Sequence, residues 1–146
     1  MGLTSIGVDA KATKLDFVAI EDTWVPAFEP PWTSGNVVHQ IMYSSHLLHG
    51  TLDNKPLIGF TTATLDFKVN SVTGIMWGHG TAVFAFAWDK LYGTFEGVIN
   101  FRMDADGISG QFTLHGTGNY KGWKLFGSIS SAGSDNALNG IVLQPN

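Results

Sequence analysis

The chain of 146 residues contains no cysteine, which excludes disulfide staples, thiolate zinc sites and cysteine nucleophiles together. It is also short of charge. Asp, Glu, Lys and Arg make up 14% of it, where an average globular chain has about 25%. The eight basic residues stand singly and Arg102 is the only arginine, so no basic stripe exists to neutralise phosphates and nucleic acid is not an expected partner. No apolar run approaches the roughly 20 residues of a membrane helix. The opening MGLTSIGVDAKATKLDF has neither the apolar stretch nor the cleavage site of a secretory leader, and Ile6 stands where a myristoylation signal needs Ser or Thr. The expectation is a soluble, cytoplasmic protein with no membrane partner. Phosphate loops ending in Lys-Ser/Thr, G-x-S-x-G elbows and a full calcium-binding loop are missing as well.

What is present is β-forming. A single domain is expected over 1–146, and eighteen glycines cut dense β-branched and aromatic residues into runs of strand length, with no helical periodicity. Strands are predicted at 14–21, 36–49, 57–69, 74–88, 92–103, 108–117, 123–130 and 140–144. Pro26, Pro30 and Pro31 remove ladder donors from residues 23–35, which are expected to cross or cap an apolar surface rather than form a central strand. Residues 131–139, SAGSDNALN, read as a polar loop with room for one helical turn.

The stretch from Gly74 to Thr117 reads as a three-stranded meander. A two-residue turn at Asp89-Lys90 sets Phe84 against Phe95, Phe86 against Gly93, Gly80 against Ile99 and Gly78 against Phe101. Large side chains facing glycines fit the strongly curved inside of a small barrel. The fold class expected is all-β, a single small antiparallel β-barrel of about eight strands. In the second hairpin, Asp106-Gly107 at the centre of a type I′ turn pairs Phe101 with Phe112, whereas a loop starting at Asp104 pairs Phe101 with Gly110. Both registers keep the same residues on the same face. Strand 81–88, TAVFAFAW, is apolar on both faces, so segment 23–35 or another subunit is expected to cover its second side. A surface this poor in charge points to a homo-oligomer.

Three groups of side chains carry candidate chemistry. Glu96 and His115 lie on one face of adjacent strands, where a carboxylate can charge and orient an imidazole for general acid–base work, or form a surface pair worth about 0.2–1 kcal/mol. Trp77, His79, Asn100 and Arg102 share that face, and the arginine could grip a carboxylate or enolate with two hydrogen bonds or stack on the indole. His39, Tyr43 and His49 share one face of 36–49 while His46 points the other way. If the first face looks into the barrel, His39 and Tyr43 are polar anchors of an apolar pocket; if not, they are half-exposed sheet residues. The histidine spacing makes no metal site, and neither metal nor organic cofactor is expected. Trp24, Trp32, Trp77, Trp88 and Trp123 are expected to line the cavity or cap its mouth.

His-Gly-Thr recurs at 49–51, 79–81 and 115–117, irregularly spaced, as small residues do where strands bend. The run Gly116-Thr117-Gly118-Asn119-Tyr120-Lys121-Gly122, continuing Trp123-Lys124-Leu125-Phe126-Gly127, resembles the G-x-G-x-(F/Y)-x-G hairpin of the allene oxide cyclase-like barrels. Gly50-Thr51, Gly59, Gly78 with Gly80, and Gly93 through Gly97 follow in the order of that family's strands. The resemblance implies a calycin-like barrel, often oligomeric, around a largely apolar cavity that folds a flexible hydrophobic substrate. It also implies a catalytic carboxylate near the first strand, for which Glu21 is the candidate. On this reading the protein encloses a small apolar molecule and is a cofactor-independent cyclase or isomerase of a natural-product or lipid-like substrate, held in a reactive conformation by few polar groups. The alternatives are a non-catalytic, lipocalin-like binding protein and a filled, self-assembling structural barrel.

Overall fold

Two turns in which consecutive non-glycine residues adopt positive φ set the strand scheme: Asp53-Asn54, at 53° and 61°, and Asp89-Lys90, at 47° and 67°. Positive φ at both central positions makes a type I′ turn, whose twist matches that of the strands it joins. In the computed structural model, residues 12–146 are described; most of the N-terminal stretch that carries the leader and myristoylation expectations lies outside them. The strands are β1 (Thr13–Phe28), β2 (Trp32–Ser34), β3 (Val37–Leu52), β4 (Lys55–Asn70), β5 (Met76–Trp88), β6 (Leu91–Asp104), β7 (Gly107–Gly118), β8 (Lys124–Ala132) and β9 (Asp135–Gln144). No helix occurs among the described residues, so none is long and apolar enough to cross a membrane.

Neighbouring strands pair antiparallel in the order β1-β9-β8-β7-β6-β5-β4-β3, and β1 then pairs with β3 from Phe17↔Leu52 to Phe28↔Met42. The result is a closed eight-stranded barrel. The short β2 adds to the edge of β3 at Val37–His39, beyond the reach of β1. Closure removes most of the open sheet edge that invites aggregation.

Three expectations are corrected. Pro26 lies within β1 and pairs with Ser44, because past Glu21 the strand has lost β9 and pairs on one side only. A residue without an N–H is tolerated on such a free edge. The segment 23–35 does not cover TAVFAFAW, since its strand pairings all run to β3. Residues 131–139 are strand on both sides of a turn at Gly133-Ser134, and Leu138, which looked like part of a polar loop, is fully buried. The second hairpin turns at Ala105-Asp106, with Asp104 opposite Gly107 and Phe101 opposite Gly110, so the loop starting at Asp104 is the one used. Asp104 Oδ1 accepts the Asp106 N–H at 2.8 Å and braces that turn.

Inside the barrel the two halves differ. One half is filled by Phe17, Phe84, Phe86, Phe95, Phe112 and Tyr120, all fully buried, with ring centroids such as Phe95–Tyr120 at 5.0 Å and Phe84–Phe112 at 5.3 Å. Each buried ring stabilises the fold by about 1.5–3 kcal/mol. The end is closed by Trp88 and Trp123, edge to face at 6.1 Å, with Trp88 Nε1 donating to the Leu52 carbonyl at 2.8 Å. The other half carries small inward residues, Ser44, Thr61, Ala63 and Ala82, and is not filled.

Candidate functional site

A barrel of eight strands has an interior that large side chains can just fill, so small ones leave space. Here they leave a cavity of about 500 Å³ in the half opposite Trp88 and Trp123. Its floor is Phe84, its walls include Leu65, Phe67, Ile99 and Phe101, and Trp24, Phe28, Met76 and Met103 stand toward the mouth. The polar residues among these mostly apolar walls are Glu21, Ser44, His46, Thr61, Thr62, Ser134 and Asn136.

Glu21 reaches this place by strand alternation. Leu15, Phe17 and Ala19 are the inward, buried residues of β1, and Glu21 is the next in the same phase, only 6% exposed. Thr61 Oγ1 on β4 donates to one carboxylate oxygen, and Asn136 Nδ2 on β9 donates to the other at 3.1 Å. A buried carboxylate needs such donors, and they fix its orientation. Immediately beyond, β1 bulges: the pairing moves from Asp22↔Leu47 to Val25↔Ser45, so that Thr23 and Trp24 together face His46. Thr23 has φ 51°, strained for a β-branched residue by about 1–3 kcal/mol. The bulge turns Trp24 toward the cavity, the re-aiming that β-bulges perform beside binding sites. His46 lines the same space, and its Nδ1 is buried with no hydrogen-bond partner.

The other sequence-derived candidates lie elsewhere. Glu96 and His115 are directly opposite one another on β6 and β7, but both are exposed on the outer wall. Trp77 pairs with Arg102 and His79 with Asn100, as the Asp89-Lys90 turn predicts, again on the outside. There Arg102 Nε lies 3.7 Å from Asp104 and His79 Nε2 3.8 Å from Asp66. The cation–π contacts among the described residues are instead Lys55 over Trp88 and Lys124 over Phe126. His39 and Tyr43 also face outward, correcting their use as lumen anchors: His39 stacks on Trp32 at 5.0 Å, and Tyr43 donates its hydroxyl to Glu29. That hydrogen bond is the main reason the Tyr43 pKa is raised. Trp88 and Trp123 are inside but at the plugged end, away from the cavity. Of the residues the sequence offered for a site or a cavity wall, the structure places Glu21 and Trp24 in the cavity lining.

Ser44, His46, Thr61 and Asn136 were not singled out for this site. The even positions of β3 read Met42, Ser44, His46, Leu48 and the odd ones Tyr43, Ser45, Leu47, His49, so neither face declares itself as the inner one. The signal available was in β1, where Leu15-x-Phe17-x-Ala19 leads to Glu21 in phase. Among the described residues no group of three or more His, Asp or Glu is arranged to hold a metal ion.

Fold and site together define a closed antiparallel barrel with one plugged end and an apolar, carboxylate-bearing cavity in the other half. Compared with protein-family models, curated proteins and solved structures, the chain matches none.

Proposed function

We propose that the barrel binds a small apolar molecule in its unfilled half and that Glu21, with His46, acts on it, as in a cofactor-independent cyclase or isomerase of a hydrophobic natural-product or lipid-like substrate. The carrying observation is the cavity: about 500 Å³ falls within the roughly 300–1,000 Å³ of pockets that enclose small ligands. A wall of fixed side chains holds a flexible chain folded, which removes much of the entropy cost of an intramolecular bond-forming step. A carboxylate braced by Thr61 and Asn136 is suited to take a proton from, or return it to, an atom of the bound molecule. Eight-strand closure and an inward carboxylate on the first strand support placing the chain with the allene oxide cyclase-like barrels. The open half weighs against a purely structural, filled barrel. Glu96 and His115, on the outer wall, have no part in this reading.

The proposal includes self-association in the cytoplasm. Leu47, Ile58, Phe60 and Tyr92 are each about half or more exposed, and the register joins them through Leu47↔Phe60, Phe60↔Ala85, Ile58↔Ala87 and Ala87↔Tyr92 into one outer apolar patch.

The test uses N-phenyl-1-naphthylamine, an uncharged apolar fluorophore. Wild type is expected to bind it with enhanced emission. Ala63→Phe, which fills the cavity from β4, is expected to keep the β-sheet circular dichroism and lose the binding. A wild type that does not bind the dye, or a filled variant that binds it equally, removes the cavity from consideration.

A further inference from the structure

We infer that the cavity sorts its ligands by head group, accepting an apolar molecule whose polar end donates hydrogen bonds, an amine or an alcohol, and refusing a fatty-acid carboxylate. This rests on the cavity being the binding site, as proposed above.

Among the described residues that line the cavity, Glu21 is the only Asp, Glu, Lys or Arg. No ion pair joins it to a cation, His46 included, among the described residues. Thr61 and Asn136 occupy one acceptor site on each oxygen. A carboxylate has about four such sites, so acceptor capacity is left over, and no lining Lys or Arg competes for it. Around it the walls are largely alkyl and aromatic, which weakens screening and strengthens whatever electrostatic interaction occurs there. An ammonium is attracted to the carboxylate, a hydroxyl donates to it, and a second carboxylate is repelled with no cation to offset the repulsion. Among the described residues, none supplies the basic group that a carrier of fatty-acid anions would need at the depth of the head group.

The experiment is displacement of N-phenyl-1-naphthylamine from the full chain at neutral pH by decylamine, decanol and decanoate, each below its micelle concentration. Decylamine and decanol are expected to displace the dye at concentrations roughly a hundredfold lower than decanoate. The relative potency of the first two tells whether charge or hydroxyl donation governs. In Glu21→Gln, which keeps an oxygen for Thr61 and removes the charge, the gap between decylamine and decanoate is expected to shrink to a few-fold. If decanoate displaces as well as the other two, or if the dye binds and none of the three displaces it, head-group sorting is overturned while the cavity reading survives. If the dye itself does not bind, it is the cavity reading that fails. Should the Gln variant not fold, the wild-type comparison of the three compounds still decides.

Discussion

Tyr120 illustrates what this interior asks of a single side chain. Its ring is fully buried against Phe86, Phe95 and Trp123, and its hydroxyl lies 3.2 Å from the Phe86 carbonyl and 3.3 Å from that of Leu91, either of which can accept its proton. Burial pushes the phenol from 10.0 up to about 12. The folded state therefore holds this proton more tightly than the unfolded chain. The resulting stability is fully present below pH 10 and is lost as pH rises toward about 12. Urea unfolding at a series of pH values is expected to show an alkaline loss of stability in wild type that is smaller in Tyr120→Phe. The variant should also cost about 1 kcal/mol at neutral pH for the missing hydrogen bond. Parallel alkaline losses in the two proteins would assign the slope to other groups. Glu21, too, has its polar head held among apolar walls, by hydrogen bonds from Thr61 and Asn136.

At the scale of strands, glycine sets how closely the sheet can curl. A Cβ on Gly59 would stand 1.9 Å from the Ala85 carbonyl oxygen and 2.6 Å from Phe86 Cα, both backbone atoms of the neighbouring β5. On Gly50 it would meet the Val18 carbonyl oxygen at 2.1 Å across the closing β1–β3 seam. Neither contact can be relieved by turning a side chain. Gly59→Ala is expected to lower the urea midpoint by the equivalent of about 1–3 kcal/mol, and an unchanged midpoint would mean that β4 and β5 can part at no cost. The recurring His-Gly-Thr follows the same rule at Gly50, Gly80 and Gly116, each of which would bring a Cβ within 2.1 Å of a carbonyl oxygen.

For the whole molecule, the barrel divides into a packed half and an open half, and an apolar patch lies on its outer wall. Sedimentation of wild type is expected to show an assembly larger than one chain. Replacing both Ile58 and Phe60 by Lys should return it to the monomer while dye binding persists, because the two side chains point away from the cavity. A monomeric wild type would end the self-association reading. The size of this effect depends on area: a stable interface buries about 1,200–2,000 Å² in total, more than these two residues supply, so the proposed contact would take in their neighbours Leu47 and Tyr92.

The pairings of β5 with β6 were legible in the chain because a two-residue turn and strict alternation fix register locally, whereas β6 and β7 were left between two registers. Asp89-Lys90 is enough to set Phe84 opposite Phe95 and Trp77 opposite Arg102. Which face looks inward was hinted at by large residues opposite glycines, such as Phe101 opposite Gly78, but was not fixed, because the face with Trp77, His79 and Arg102 is mixed rather than plainly polar. Only closure of β1 onto β3 turned the face with Phe84, Gly80 and Phe101 inside and left Glu96 and His115 in the outer wall. The site itself joins residues 40 and 115 positions apart, Glu21 with Thr61 and with Asn136. A distance of that kind has no local signature. Alternation places a residue on one side or other of its own strand, and the three-dimensional path of the other seven strands chooses what it meets there.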